Sequence, residues 1–266
     1  MRRRRLILPA IPLGIAALVL AACATTTVQP AATAASDIAA VTENAVAQTT
    51  DATAEALIAA NENATVVRDD EWSAADAADV TLSGSTATTT SAGVSVDGAT
   101  VTITTAGVYR LSGTLDGSVV VSAADDAQVV LILDDATISN ADGPAIEVVT
   151  ADDVAVSLAD GTTNALSDAA AYADDAGANA ALYSSADLTI TGTGALVVDG
   201  NGNDGITSTD DLAILSGTIS VTAADDALRG KDSVTIESGT LSLTAGGDAL
   251  KSDNEEETAR GYVLIE

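Results

Sequence analysis

The chain has 266 residues, of which 39 are Asp or Glu and 10 are Lys or Arg, so its formal charge is −29. It contains no His, no Phe and one Cys, which excludes His-dependent nucleophilic catalysis, His-ligated zinc and an internal disulfide. So acidic a surface repels nucleic acid and attracts cations, and we expect no nucleic-acid partner.

The N-terminus has the layout of a secretory signal. Arg2 to Arg5 precede a short apolar run that ends at Ala22, and the run is too short for a comfortable membrane span. The following LAAC, which ends in Cys23, resembles the bacterial lipoprotein processing box. We therefore expect a signal peptide over 1–22, lipidation of Cys23 and an extracellular protein anchored to the membrane. An ordinary cleaved signal is the alternative.

Residues 23–78 are rich in Ala and Thr and show no sustained apolar pattern. Such a composition predicts a mostly disordered tether. Trp72 is the residue in it that we expect to dock onto the following domain. Without residues 1–22 the chain has 39 acidic and 6 basic residues, a formal charge of −33.

Beyond Val80 the chain consists of short segments with apolar residues at every second position, punctuated by Gly and Asp. This period predicts β-strands, and no helix-length apolar stripe lies between them. Three units align with one another: Ser185 to Ser208, Thr209 to Gly230, and Lys231 to Ser252. Their matching apolar pairs are Leu188/Ile190, Leu212/Ile214 and Val234/Ile236, and then Leu196/Val198, Ile219/Val221 and Leu241/Leu243.

A repeat of about 22 residues without helices predicts a coil of stacked strands. We expect an all-β fold over 79–266, a single-stranded parallel β-helix with one repeat per rung, and the crossover rule favours the right-handed form. A leucine-rich repeat has a similar period but would need a recurring Asn that is missing here. Tyr262 to Glu266 match the first strand of another rung, so we expect the β-helix to be incomplete at its C-terminus.

Acidic residues recur at fixed places in the repeat. One column contains Asn203, Asp204, Asp225, Asp226 and Asp248, and a second contains Asp187, Asp210, Asp211, Asp232 and Asp253. Rungs of a β-helix are about 4.8 Å apart, so outward-pointing carboxylates on successive rungs would repel one another. Calcium takes oxygen ligands at about 2.3–2.6 Å and could bridge them. We therefore expect calcium ligands among these residues, with Asp226 stacked on Asp248; turn capping by single Asp side chains is the alternative.

Three basic residues accompany the columns: Arg229, Lys231 and Lys251. Beside calcium, such a residue could remove the proton alpha to a uronate carboxylate, which is lyase chemistry. The same residues could instead neutralise the aspartates or hold an acidic sugar without any reaction.

The motifs VVLILDDATISNADGPAIEV, NDGITSTDDLAI, DDALRGKDSVTIESG and GGDALKSDN occur in this order. Together they resemble the carbohydrate-binding β-helix domains of clostridial and other bacterial surface lipoproteins. The resemblance implies a pectate-lyase-like fold that binds calcium and pectic acid or cellulose, with Asp204, Asp226, Asp232 and Asp248 as the foremost ligands. Ala227 and Ala249 replace the usual glycine of the motif, which puts the ligand geometry there in question.

These observations predict a monomeric, calcium-dependent polysaccharide-binding protein that is not an enzyme. Few aromatic side chains are present to stack on sugar rings, so an acidic polysaccharide bridged by calcium is favoured over neutral glucan. Two alternatives remain at this point. One is a calcium-dependent uronate lyase, and the other is a structural spacer or adhesin without affinity for sugar.

Overall fold

The computed structural model describes residues 54–257 and 259–266. The predicted signal peptide, Cys23 and the tether up to residue 53 lie outside this range. The described chain is almost entirely β-structure, with a short helix α1 at Ala54–Ala60 and a 3-10 turn at Ala74–Asp76. None of its helices is apolar and long enough to span a lipid bilayer.

Twenty-one strands follow one another in the described residues. The first seven are β1 Ala78–Gly84, β2 Ala87–Thr89, β3 Val94–Asp97, β4 Thr100–Ile103, β5 Gly107–Asp116, β6 Ser118–Ser122 and β7 Gln128–Ser139. The next seven are β8 Ile146–Thr150, β9 Asp153–Leu158, β10 Thr163–Ser167, β11 Ala180–Ser184, β12 Asp187–Gly192, β13 Ala195–Gly200 and β14 Asp204–Ser208. The last seven are β15 Asp211–Ile214, β16 Thr218–Ala223, β17 Leu228–Gly230, β18 Ser233–Ile236, β19 Thr240–Ala245, β20 Leu250–Lys251 and β21 Tyr262–Ile265.

From β8 onward each strand pairs in parallel with the third strand after it. The pairings form three faces: face one is β9-β12-β15-β18-β21, face two is β10-β13-β16-β19, and face three is β8-β11-β14-β17-β20. The long strand β7 pairs with β9 through its first half and with β10 through its second half, so faces one and two form one curled sheet. The fold is therefore all-β with a curled parallel sheet, and three consecutive strands make one circuit, which we call a coil.

The strand register confirms the repeat units that the sequence predicts. On face one, Leu188 aligns with Leu212 and Leu212 with Val234. The final strand continues this column, because Val234 aligns with Val263. The apolar pairs point inward and bury Leu188, Leu212 and Val234 almost completely. Removing apolar surface from water contributes about 25 cal/mol per Å². The burial of these side chains is therefore the main contribution to the stability of so narrow a core.

The first strands depart from the parallel pattern. Two antiparallel pairs, β1 with β2 and β3 with β4, precede the regular coils. Gly113 in β5 has a φ of +94°, and a Cβ built there would lie 2.5 Å from the Leu82 carbonyl oxygen. Glycine is required at this close approach between neighbouring strands, where the register between β5 and β7 also shifts.

Residues 61–72, which we call the strap, lie on the outside of face one. Asn61 Nδ2 donates to Asp211 Oδ1 at 2.8 Å, and the Val67 amide donates to Thr189 Oγ1 at 3.1 Å. Arg68 forms a bidentate ion pair with Glu237 at 2.9 and 2.7 Å.

The strap changes the picture of the tether that the sequence predicts. Residues 61–72 are attached to the domain, because side chains more than 100 residues away hold the strap in place. Trp72 packs against Val67, Val130, Ile132 and Ala155, which agrees with its expected docking role. The outward-facing Thr189 is only 1 % exposed because the strap covers it. Sequence periodicity could not reveal this segment, since hydrogen bonds hold much of it.

Candidate cation-binding site

The first acidic column lies at the corner that precedes face three, and it contains both buried and exposed carboxylates. Asp204 is 1 % exposed and Asp226 is 2 % exposed, whereas Asp225 and Asp248 are exposed. The expectation that the acids of this column point outward is therefore wrong for Asp204 and Asp226. The reason is that each of these two carboxylates accepts a backbone hydrogen bond from the following coil.

These hydrogen bonds form a ladder. The Asp226 amide donates to Asp204 Oδ1 at 3.1 Å, and the Asp248 amide donates to Asp226 Oδ1 at 2.8 Å. The Thr207 hydroxyl donates to Asp204 Oδ2 at 2.9 Å, and Lys251 Nζ donates to Asp226 Oδ2 at 2.8 Å. An amide N–H thus lies between successive carboxylates and offsets part of the repulsion that stacking alone would produce.

The alanine that departs from the motif leaves the ladder intact. Ala227 follows Asp226 where Gly205 follows Asp204, and Ala227 is completely buried. The hydrogen bond that the Asp226 carboxylate accepts from the Asp248 amide is no longer than the one that Asp204 accepts from the Asp226 amide. A methyl group at Ala227 is therefore compatible with the corner.

The second acidic column lies at the corner that precedes face one. It also contains a hydrogen bond from a backbone amide to the carboxylate of the preceding coil. The Asp211 amide donates to Asp187 Oδ1 at 3.1 Å, and the Ser233 hydroxyl donates to Asp211 Oδ1. Asp232 is also buried, but Asn254 and Arg260 hold its carboxylate.

Within the described residues, two groups of carboxylates come close enough to share a metal ion. In each group one oxygen of every carboxylate lies within 4.8 Å of the others; the first cluster is Asp204, Asp225 and Asp226, and the second cluster is Asp187, Asp210 and Asp211. Oxygen-only donors at this spacing suit a hard divalent cation such as calcium. The first cluster reaches the surface through Asp225, and the second cluster lies beneath the strap.

Burial perturbs the acids of both clusters. It raises the pKa of Asp204 and Asp211 above the ordinary aspartate value. It raises the pKa of Asp187 to about 6, and burial together with the charge of Asp187 raises the pKa of Asp210 to about 6. Burial disfavours the ionised form of these carboxylates, so a bound cation would stabilise that form.

The structure brings together only some of the ligands that the sequence predicts. Asp204, Asp225 and Asp226 form the first cluster, and Asp211 belongs to the second. Four predicted ligands lie outside both clusters, namely Asn203, Asp232, Asp248 and Asp253. Asp187 and Asp210, which the sequence places in the acidic column, complete the second cluster.

The basic residues divide into two kinds. Arg229 pairs with Asp253 at 2.8 Å, and Lys251 pairs with Asp226, so both neutralise acids of the columns. Lys231 is exposed and makes no ion pair within the described chain. Of the three predicted sugar-binding cations, Lys231 is therefore the one whose charge is available to an acidic ligand.

A groove of about 500 Å³ lies elsewhere, between the turn that joins β5 to β6 and the turn that follows β7. Its lining is polar and includes Asp116, Asn140 and Asp142, without an aromatic side chain. A second pocket of about 370 Å³ is lined by Trp72. The sequence singles out Trp72 as an anchor of the tether but gives no signal for the groove, because its residues come from different coils.

The known proteins that this chain resembles are described by their relation to carbohydrates. A family model for carbohydrate-binding domain-containing proteins matches residues 97–266. A carbohydrate-binding domain-containing protein of Acetivibrio thermocellus is 36% identical over 121 residues, which cover 44% of this chain and 42% of that protein. The chain thus aligns with less than half the length of this relative.

A solved structure is also similar. It is that of a polysaccharide lyase-like protein from C. thermocellum, in a gadolinium derivative, with 38% sequence identity and a TM-score of 0.69. The match covers 71% of this chain and 79% of that one. Since the family model spans more than half of its residues, the chain belongs to the family of carbohydrate-binding domain-containing proteins.

Proposed function

We propose that this protein binds an acidic polysaccharide such as pectic acid in a calcium-dependent manner, outside the cell, as a monomer anchored through a lipid at Cys23. Its curled sheet is, in this proposal, a right-handed parallel β-helix of about 22 residues per rung. Cellulose is the second candidate ligand. The family membership supports the carbohydrate, and the layout of residues 1–23 supports the anchor.

The observation that carries calcium dependence is the first cluster. Asp204 and Asp226 are fixed by the ladder, and Asp225 presents its carboxylate to solvent beside them. An ion held here would have one side facing the protein and the other open to a uronate carboxylate. The related C. thermocellum protein was solved as a gadolinium derivative. Gadolinium, like calcium, is a hard cation that prefers oxygen ligands.

Charge explains why an ion is needed between protein and sugar. The predicted mature chain has a charge of −33, so polygalacturonate approaching it directly would be repelled. A divalent ion that bridges Asp225 and a uronate reverses the sign of that interaction. Lys231, whose ammonium group has no partner in the described chain, can add an ion pair to the same ligand.

The alternative activity is a calcium-dependent uronate lyase. Its base would be Arg229, Lys231 or Lys251, and Arg229 and Lys251 are engaged by Asp253 and Asp226. Lys231 is thus the base that this alternative requires, and the relation to a lyase-like protein favours testing it. A structural spacer or adhesin without sugar affinity is the third possibility.

One experiment separates the three. The protein is mixed with polygalacturonate and, in parallel, with insoluble cellulose, each in calcium and in chelator. Retention on polygalacturonate only in calcium supports the proposal, and no retention on either material supports the spacer. Appearance of an unsaturated, ultraviolet-absorbing product at alkaline pH would establish the lyase and overturn the assignment as a binding protein.

A further inference from the structure

Two buried acceptor oxygens, one in the second cluster and one in the strap beside it, have no hydrogen-bond partner in the described chain. Asn61 is 3 % exposed and Asp211 is 5 % exposed. Asn61 Nδ2 donates to Asp211 Oδ1 at 2.8 Å, yet Asn61 Oδ1 and Asp211 Oδ2 are buried without a hydrogen-bond partner in the described chain. Buried polar atoms are normally paired, and two adjacent exceptions of the same kind call for a common donor of positive charge.

The second cluster has no direct ion pair with a basic residue, unlike its neighbours, and Arg260, which pairs with Asp232, acts on Asp210 only through its charge. Asp226 pairs with Lys251, and Asp232 pairs with Arg260. No Lys or Arg of the described chain forms an ion pair with Asp187, Asp210 or Asp211, although their carboxylates lie within 4.8 Å of one another. Buried charges are normally paired, hydrogen-bonded or coordinated to a metal.

The donor set defines the class of ion. It consists of three carboxylates and one amide oxygen, with no nitrogen or sulfur donor, which matches the preference of calcium and excludes soft metals. A cavity of about 130 Å³ lies between the strap and face one and reaches Asp211. The strap supplies Asn61, and the coil supplies the carboxylates.

We propose that Asn61, Asp187, Asp210 and Asp211 form a second cation site, in which a calcium ion fastens the strap to face one. This site is separate from the cluster proposed to meet polysaccharide, because the strap covers it. Thr65 reinforces the attachment, since its amide and its hydroxyl both donate to Asp187 Oδ2, at 2.7 and 2.6 Å. Loss of the ion leaves the carboxylates to repel one another, so the strap becomes looser and the outward side chains beneath it, such as Thr189, become exposed.

The test compares the full chain with single variants of the strap. Calcium alone is titrated by calorimetry, and hydrogen exchange of the strap amides is followed in calcium and in chelator. For the native chain we expect calcium to slow exchange at Thr65 and Val67 by about 10-fold or more. Asn61→Ala should weaken one calcium site by about 10-fold or more. The matched control is Asn63→Ala, an exposed asparagine in the same segment, and it should change neither quantity.

A further variant separates a metal ligand from a simple hydrogen bond. Asn61→Asp replaces the amide with a fourth carboxylate, so the strap should be protected in calcium and mobile in chelator. If Asn61 only hydrogen-bonds to Asp211, Asn61→Asp will leave the strap mobile in both conditions, and the proposal is then wrong. It is also overturned if calcium leaves the exchange of the native strap unchanged. Retention on polygalacturonate, measured on the same samples, reports on the first cluster, so failure of one proposal can be told from failure of the other.

Discussion

Replacing Asp204 in two ways tests whether the amide ladder holds the first cluster together. Asp204→Ala removes the acceptor for the Asp226 amide and for the Thr207 hydroxyl, both of which are buried. Asp204→Asn keeps an oxygen for the amide, and its new N–H₂ group can donate to the Thr207 hydroxyl. Both variants remove the same buried negative charge, so the difference between them isolates the hydrogen bonds.

The expected difference follows from the number of groups left unpaired. A buried donor without an acceptor costs about 1–3 kcal/mol, and Asp204→Ala leaves two such donors. We therefore expect Asp204→Ala to be less stable than Asp204→Asn by about 2–4 kcal/mol, allowing for partial relaxation. For a domain of this size that corresponds to a melting temperature lower by roughly 5–15 °C.

Thermal unfolding in chelator and in calcium provides the assay. In chelator Asp204→Asn should melt close to the native chain, and Asp204→Ala should melt well below it. Calcium should raise the melting temperature of the native chain and raise that of Asp204→Asn less, because one charged ligand is gone. Equal melting temperatures for the two variants in chelator would refute the ladder as a source of stability.

Three further outcomes follow from other residues. Burial raises the pKa of Asp187 from about 3.9 in the unfolded chain to about 6 in the folded protein. The folded protein therefore binds this proton more tightly than the unfolded chain, and the stabilisation that results is present below pH 4 and is lost as the pH rises through 6. Denaturation in chelator should show that the free energy of unfolding falls by about 3 kcal/mol over this pH range. Asp187→Asn should abolish this fall, and the same pH profile in the variant as in the native chain would contradict the raised pKa of Asp187. Asn164 is completely buried and bonds to backbone groups of the strands on either side, so Asn164→Ala should lower the free energy of unfolding by about 2–4 kcal/mol, and urea denaturation checks it. Lys251→Gln frees Asp226 from its ammonium partner, so calorimetry should show tighter calcium binding, whereas weaker binding would mean that Lys251 does not compete with the ion.

The two acidic clusters differ in whether a basic side chain of the protein competes with calcium for their carboxylates. In the first cluster Lys251 already neutralises Asp226, so an ion there must displace or share that contact. In the second cluster no Lys or Arg of the described chain makes such a contact, and Asp211 Oδ2 and the neighbouring Asn61 Oδ1 are left unpaired. We therefore expect the site under the strap to bind calcium more tightly, and the first cluster to bind it in a way that depends on polysaccharide.

The repeat could be predicted from the sequence because it depends on simple alternation. Val234 and Val263 occupy one column, as their positions in the repeat indicate, since inward side chains at every second residue fix the strand register. The direction of the Asp side chains could not be predicted in this way. Whether Asp226 points to solvent or to the next amide depends on the corner conformation, which apolar periodicity does not encode.

The strap shows a second limit of sequence reasoning. Its contacts join Asn61 and Thr65 to residues more than 100 positions away. The strap has few apolar residues from which these contacts could be predicted. The cation site beneath it therefore appears only when both parts are in place. Similarly, Arg229, Lys231 and Lys251 look equivalent in the sequence, and only their ion pairs distinguish them.

The most direct test of calcium-dependent polysaccharide binding is the affinity for polygalacturonate as calcium is varied, measured by affinity electrophoresis for the native chain and for Asp225→Asn. The matched control is Asp125→Asn, which removes another exposed carboxylate outside both clusters. We predict that the native chain and Asp125→Asn are retarded only when calcium is present, and that Asp225→Asn loses most of this retardation. Retardation that is equal in calcium and in chelator, or that is the same in Asp225→Asn as in the native chain, would contradict the proposed function.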